Sequence, residues 1–554
     1  MYHEKKIDQY NKGLIFDIGT SLNMSIMKKC FFYFFIFCFS LSFAQNYNIS
    51  ELGVFPYDDM EGDTKLSDVW GYVDADENEY AIVGLINGTS ILDVTDPANI
   101  VEVTRIPGPS SIWRDMKTWG DVAYVVHDSY FFGESQGLLM IDLSTLNEDS
   151  VVWDTYNLND SLDRAHNIYI DENGVAYLFG SNYGGGGALM LDVTTPMSPT
   201  KLGAFTEYYL HDGYARGDTL WGSAIYLGSL LAIDVVNKVE PEIVGDILTP
   251  NTFTHNCWPS DDHQFVFTSD EVSDGSFAAY DVSDAGNIQF MDKIQSSISD
   301  HTIPHNTHVY GDFLVNSYYT DGLQIVNMSR KDNLIEIGRY DTSPSYDGDG
   351  FNGAWGAYPY LESENILVSD REEGLYVLEP QYKDAVYLEG TVVDADDLSE
   401  ISGVKIGLSY SVDETNSDGE YKTGTIDTGV FDITYTKYGY QILEDTVHLQ
   451  SGITNIKNIE LVPWPLNLTE DFLKEVRVTN KLGSSAVFIS WPSVLQEDIK
   501  MNMTDVTGKL IYTERLREGE QNFEIKTMGL TGLYIVSFSN ENGSLRHAAK
   551  VVLQ

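Results

Sequence analysis

Between residues 66 and 382 the polar and apolar positions follow a fixed grammar: a glycine, a short alternating apolar run, then an acid or amide. GTSILDV ends its run at Asp93, GLLMIDL at Asp142, GALMLDV at Asp192 and SLLAIDV at Asp234. SFAAYDV gives Asp281, GLQIVNM gives Asn327 and GLYVLEP gives Glu379, seven copies in all. A second apolar run precedes each glycine, as in EYAIVG, VAYVVH, QFVFTS and NILVSD, and another follows the acid, as in IVEVTRI and TKLGAF. Runs of this length, bounded by Gly, Asp, Asn and Pro, are strands. Four short strands per unit, repeating every 44–51 residues, predict a seven-bladed β-propeller. The acids at the strand ends are read as turn-closers that accept backbone N–H groups two residues on. The seventh unit stops at Tyr382 without an outer strand, and SELGVFPY near the N-terminus resembles the outer strands KLGAFTE and EIGRYDT. Pairing of that segment into the last blade would close the ring and remove its open edge.

A second repeating position lies at the entry to each innermost strand: Asp68, Asp115, His166, His211, His255, His305 and Gly353, spaced by 47, 51, 45, 44, 50 and 48 residues. Innermost strands line the central channel, so one side chain per blade at one height makes a ring. Four imidazoles and two carboxylates facing one another form a plausible first shell for a divalent metal, with Zn, Fe or Ca as the ions considered. The loops after the second strands carry His127 and Asp128, Asp270 and Glu271, and Asp370, Arg371 and Glu372, and are expected to open on the same mouth as a ligand face. The alternative is structural: each His or Asp bonds only the backbone of the neighbouring blade, and the channel is too wide for one ion to reach more than two or three of them. Asp347 and Asp349 match only the start of a calcium loop and lack the distal Glu, which favours a turn. Cys257, two residues after His255, reads as buried packing rather than a soft ligand.

The N-terminus adds a compartment. Lys28 and Lys29, an apolar run from Cys30 to Leu41, and Ser42 and Ala44 before Gln45 have the form of a Sec signal peptide, preceded by an upstream stretch that reads as a mis-called start. Residues 1–44 hold five Lys and three acids, so the net charge of −51 becomes −53 on their removal, with 28 basic and 81 acidic residues left. Such a charge argues against a nucleic-acid partner, because phosphate is repelled. A hydrophobic content of 43% supports a packed core. After the signal no run approaches the length of a transmembrane helix, so no transmembrane segment is expected in the mature chain. Only Cys257 remains after cleavage, so no intrachain disulfide is possible.

The residues WGYVDADENEYAIVG, SIWRDMKTWGDVAYVV, AHNIYID, FTHNCWPSDDHQFVFTSDE, PHNTHVYGDFLVNSYYTDGLQIV and SDREEGLYVL, in this order, resemble the choice-of-anchor B family of LVIVD-type propeller repeats. The resemblance implies a secreted or surface-displayed propeller over residues 45–382 and supplies no activity. THNCW departs from a more usual THQ-G-W pattern at Asn256 and Cys257. Residues 383–463, with EGTVVD, SDGEY and YGY at Tyr438–Tyr440, resemble a carboxypeptidase regulatory-like β-sandwich, a non-catalytic spacer or adhesive module. Residues 464–554, with Asp505, Gly508 and Lys509, Gly532 and Tyr534, and Lys550, resemble the type IX secretion C-terminal sorting domain. That resemblance implies the type IX secretion machinery as partner and an extracellular or outer-surface location after Sec export and signal removal near Ala44.

The sequence therefore predicts an all-β chain, a seven-bladed propeller followed by two small β-sandwich domains, and a monomer. No G-x-S-x-G elbow, H-E-x-x-H or P-loop is present, so no catalytic residue and no organic cofactor is assigned. The favoured function is a secreted or cell-surface protein that binds a ligand or partner through its acidic, His-lined face. The alternative is a metal-dependent, hydrolase-like enzyme on the propeller axis, with Asp115 or Glu271 as base. Whether the protein is an enzyme is left open at this stage.

Overall fold

The computed structural model describes residues 46–463, except 61, 63–64, 130–135, 149, 297–300 and 410, and the strands of residues 477–553. The signal-peptide reading of residues 1–44 lies outside the described residues. The chain is all-β, as the alternation predicts. Seven four-stranded antiparallel sheets follow one another along residues 49–380. We number them blades 1 to 7 by their innermost strands: Leu66–Val73, Arg114–Trp119, Asn167–Ile170, Asp212–Arg216, Thr254–Pro259, Thr307–Tyr310 and Ala354–Tyr358. Each inner strand neighbours the next in cyclic order, and that of blade 7 meets that of blade 1.

The last blade takes its outer strand from the N-terminus. Ile49–Phe55 pairs antiparallel with Gly374–Pro380, running from Ile49 opposite Pro380 to Phe55 opposite Leu375. Just ahead of it, Tyr47 donates its hydroxyl to Glu336 Oε1 at 2.5 Å and Asn48 donates Nδ2 to the Ile337 carbonyl at 2.6 Å. The strand-end turns form as expected at six sites. The side-chain oxygens of Asp93, Asp142, Asp192, Asp234, Asp281 and Asn327 each accept the backbone N–H two residues on, at 2.8–3.3 Å. Glu379 instead sits in the closing strand pair, opposite Ser50.

Two further sandwiches follow. Val386–Asp394 pairs with Glu420–Thr425 and, in parallel, with the short strands Asn455–Ile456 and Ile459–Leu461. The facing sheet holds Lys405–Leu408, Ser411–Glu414, Gly429–Thr436 and Leu443–Leu449. Val392, Ile406, Ile433 and Leu449 are buried between the two sheets. This unit touches blade 6, where Tyr387 donates to Asn327 Oδ1 at 2.5 Å and Asn333 Nδ2 donates to the Thr423 carbonyl at 3.2 Å. In the C-terminal unit a sheet of Arg477–Asn480, Ala486–Ser490 and Asn522–Lys526 packs over one built on Ile499–Asp505 and Gly532–Asn540, around Met501, Met503 and Val536. Among the described residues no helix is long and apolar enough to cross a membrane.

Candidate functional site at the mouth of the propeller axis

The site is built where the inner strands begin. Strand pairing fixes the true register between blades, and it differs from the register read along the sequence by one residue in blades 1 and 2 and by two in blade 7. Met116 faces Val125, Ile168 faces Leu178, Gly213 faces Gly222 and Cys257 faces Thr268, so these residues are equivalent and point between blades. Two residues before them stand Arg114, His166, His211 and His255, and the same level holds Ser67, His305 and Trp355. One residue before them stand Asp68, Asp115, Asn167, Asp212, Asn256, Asn306 and Gly356. Asp68 and Asp115 therefore belong to a layer below the histidines, and Trp355 rather than Gly353 occupies the histidine level in blade 7. Irregular pairing at the strand entries, between Leu66 and Val69, Thr254 and Asn256, and Ala354 and Gly356, lets both levels face the channel.

The histidine level forms a continuous aromatic crescent. Ring centroids of His166 and His211 are 4.2 Å apart, those of His211 and His255 4.2 Å, those of His255 and His305 4.4 Å, and those of His305 and Trp355 4.5 Å. A common bond holds the crescent to its scaffold. The side chain on one blade reaches the carbonyl at the same level on the next: Ser67 Oγ to Arg114 O at 3.2 Å, His211 Nδ1 to His255 O at 3.2 Å, and His305 Nδ1 to Trp355 O at 2.5 Å. A carbonyl only accepts, so Nδ1 of His211 and His305 carries the proton and Nε2 keeps its lone pair. His166 departs from the pattern, with Nδ1 3.1 Å from Asp128 Oδ2, and Asp128 is also ion-paired with Arg164. Burial holds His211 and His305 well below the usual imidazole range and pushes His255 down to about 3, with neighbouring imidazoles adding to each effect. These three rings are neutral at physiological pH.

The acid and amide layer beneath is a clasp between blades. Asp115 Oδ2 accepts the Ile168 N–H of blade 3 at 3.1 Å, and Asn256 Oδ1 accepts the Thr307 N–H of blade 6 at 3.0 Å. Asp115 Oδ1 also takes Lys117 Nζ at 2.8 Å, and Asp212 Oδ2 takes Asn256 Nδ2 at 2.8 Å. In blade 7 a side chain is excluded, since a Cβ on Gly356 would lie 2.0 Å from Asp68 Oδ1. Burial raises Asp68 well above the usual carboxylate range, helped by Asp115, and raises Asp212 to about 7. Asp115 thus bonds the backbone of the next blade, whereas Asp68 Oδ1 accepts the Val69 N–H of its own strand at 2.9 Å. Between the two layers lies a cavity of about 20 Å³ lined by His166, His211, His255, His305, Asp115 and Asn306 among others, enough for about one water or ion. Below it, Trp70, Trp258, His308 and Tyr360 fill the channel with aromatic contacts, His308 lying 4.5 Å from Trp258.

Above the crescent lie the loops after the second strands, and their residues divide into two kinds. Asp270 and Asp370 organise their loops: Asp270 accepts from Thr249, Asn251 N and Phe253 N, and Asp370 from Thr342, Glu372 N and Glu373 N. Glu372 accepts from Asn352 and from Gly353 N. His127 is buried and finds no hydrogen-bond partner at either ring nitrogen among the described residues. The following residue of these loops reaches the crescent. Asp128 meets His166. Glu271 lies with Oε2 3.6 Å from His255 Nε2 and Oε1 3.9 Å from His305 Nε2. Arg371 stands over the Trp355 ring at 5.1 Å. Tyr319, at the same level in blade 6, donates to Glu271 Oε1 at 2.6 Å. Burial raises Glu271 to about 7, against the opposing Tyr319 bond.

The ligand atoms of His255, Glu271 and His305 all lie within 4.8 Å of one another. Ligands about 2.1 Å from a tetrahedral ion stand about 3.4 Å apart, so the spacings around Glu271 fit one ion after a small movement. Sequence reasoning missed Tyr319, Trp355 and Arg164 as members of the site. Tyr319 and Trp355 were detectable by anchoring each blade on its second strand instead of on its polar residues. Cys257 faces the core between blades and donates to the Trp221 carbonyl at 3.5 Å, away from the mouth.

Residues 483–554 match the family described as a secretion system C-terminal sorting domain. No curated protein matches the chain. Among solved structures it is similar to the β-propeller domain of Myceliophteria thermophila Cps50 (Swd1), at 12% identity and a TM-score of 0.40, covering 58% of this chain and 98% of that one. It is also similar to a putative 6-phosphogluconolactonase from Bacteroides uniformis, at 11% identity and a TM-score of 0.40, covering 58% and 93%. Fold and tail together define an all-β propeller protein of the exported class. Its C-terminus is a type IX secretion sorting domain, which implies interaction with that machinery and a cell-surface or extracellular location.

Proposed function

We propose that this is a secreted or surface-displayed propeller that binds one divalent transition-metal ion at the mouth of its axis, through His255 Nε2, His305 Nε2 and the Glu271 carboxylate. The observation that carries it is the convergence of those three groups, with their ligand atoms within 4.8 Å of one another. The His305 tautomer supports it, because Nδ1–H is spent on the Trp355 carbonyl and Nε2 is left to coordinate. Two imidazoles and a carboxylate suit Zn or Fe better than Ca, which prefers oxygen ligands. The resemblance to the choice-of-anchor B family and to a carboxypeptidase regulatory-like spacer fits a displayed binding module.

A metal-dependent hydrolase is the second reading, favoured by one observation: a two-His, one-Glu set leaves an open position, as in catalytic zinc sites. Binding remains the better reading because the nearby carboxylates are committed. Glu271 is itself a ligand, Asp128 is held by Arg164 and His166, and Asp115 is held by Lys117 and two backbone N–H groups. Metal analysis of the purified full chain, after exposure to Zn²⁺ or Fe²⁺ and desalting, tests the proposal. One equivalent of metal in the native sequence, lost in His255→Ala plus His305→Ala, is expected. No retained metal in the native sequence would overturn it.

A further inference from the structure

Arg371 is a buried cation of the mouth that makes no ion pair among the described residues and, unlike Arg114, whose Nε and Nη2 both reach backbone carbonyls, leaves its Nε without an acceptor there. Its neighbours in the equivalent loops are matched: Asp128 with Arg164 and His166, Glu271 with Tyr319 and the two histidines. Arg371 is 8% exposed, yet among the described residues it makes no ion pair. One guanidinium nitrogen, Nη1, donates to the Phe351 carbonyl, and the buried Nε has no hydrogen-bond partner among the described residues. A buried guanidinium loses its hydration and regains it only through a paired anion or a full set of acceptors.

Its placement ties it to the same mouth. The guanidinium carbon lies 5.1 Å from the centroid of Trp355, and that ring lies 4.5 Å from the ring of His305. Arg371 and His305 therefore flank one indole. The guanidinium charge is also felt at Glu271, His305 and Tyr319.

Resting on the metal reading above, we infer that the ligand of this site is a small oxyanion, a carboxylate or a phosphate, held between the bound ion and the Arg371 guanidinium. An ion with three protein ligands has an open position for one oxygen. A guanidinium presents a planar fork of N–H donors to a second oxygen of the same group, and Nε is the donor still without an acceptor. The Trp355 ring, 5.1 Å from the guanidinium carbon, forms a wall of the same site. A neutral ligand would leave the charge unpaired, and an amine would be repelled by it.

The test is calorimetric titration of the metal-loaded full chain with inorganic phosphate in one arm and acetate in the other, repeated on metal-free protein. Binding of at least one of the two anions is expected, with the stronger arm naming the source chemistry. Arg371→Gln should weaken that binding at least tenfold while metal content stays at one equivalent. Arg371→Lys, which keeps the charge and loses the fork, should fall between the two and covers the case in which Arg371→Gln does not fold. Metal-loaded protein that binds neither anion, or Arg371 variants that bind as tightly as the native chain, would overturn the inference and leave the metal reading standing. Anion binding that depends on Arg371 in a protein that takes up no metal would overturn the metal reading and the bridging arrangement with it, leaving an anion site at Arg371 alone.

Discussion

His211 Nδ1 lies 3.2 Å from the carbonyl oxygen of His255 on the next blade. The same bond, from side chain to next-blade carbonyl, is made by Ser67, which has no metal-binding capacity, and by His305, which faces Glu271. The contact is thus a device of the scaffold, and the proposed ligation falls instead to the two histidines that the Glu271 carboxylate faces, His255 and His305. The expected consequence is a split among variants. Glu271→Gln should weaken metal binding at least tenfold, while His166→Ala and His211→Ala should keep one equivalent of metal. Equilibrium dialysis against a chelator series reads the difference, and loss of metal in all three variants would favour a ring of four ligands instead.

The clasp beneath the crescent carries stability. Asp115 is buried and joins Lys117 Nζ at 2.8 Å to the Ile168 N–H of the next blade at 3.1 Å. Asp115→Ala strands a buried ammonium and a buried N–H, which costs about 3 kcal/mol or more. Asp115→Asn keeps an acceptor for the N–H and should cost less. Denaturant melts of both variants check the order. Equal costs would mean that Lys117, and not the backbone bond, accounts for the effect.

How much of this was legible is clearest at the blades themselves. The Gly–strand–Asp grammar located the third strand of every sheet, because a buried strand cannot disguise its alternation and the turn after it needs an acceptor, as Asp93 provides for Thr95 N at 3.0 Å. The closing strand was legible for the same reason: SELGVFPY repeats the outer-strand pattern. The inner strands were harder. Asp68 and Asp115 align by spacing with His166 while lying one layer below it, and in blade 1 irregular pairing at the strand entry further obscures the count. Tyr319 and Trp355 carried no signal to a search for acids and imidazoles. The hairpin of blade 5, where Thr254 pairs with Asp270, brings Glu271 over His255, and its approach to His305 needs blade 6 docked beside it, which no local pattern announces.

Ring closure by the N-terminal strand predicts a penalty far from the site. Ile49 is buried among Ile325, Ile337 and Leu378. Ile49→Ala should cost about 3 kcal/mol. Removal of residues 46–55 leaves the Gly374–Pro380 strand as an open edge. The truncated chain should lose cooperative melting and associate, as read by circular dichroism and size-exclusion chromatography. A truncated chain that melts like the native one would show that the last blade is stable with three strands.

One buried acid makes a pH-dependent contribution of known sign. Asp292, on the outer strand of blade 5, accepts the Leu334 N–H of blade 6 at 2.7 Å, yet burial raises its carboxyl to about 6, with Asp413 and Asp332 adding like charge. Its value in the unfolded chain is near 3.8. The folded state therefore binds the proton more tightly, and above pH 6 the ionised carboxylate costs stability that is recovered as pH falls through 6 toward 3.8. Because Asp292 is partly exposed, the cost at neutral pH is put at about 1–2 kcal/mol, below the full value of the shift. Asp292→Asn keeps an acceptor for Leu334 N and carries no charge, so it should stabilise the protein by that amount at pH 7.5 and by almost nothing at pH 4. Glu336, whose buried carboxyl is nevertheless held below its usual range by Arg339, has the opposite slope and cancels when the two proteins are compared. The measurement is the difference in unfolding free energy between variant and native chain at the two pH values. A difference that does not shrink on acidification would show that Asp292 is ionised at little cost, and that solvent reaches it at the seam between blades 5 and 6.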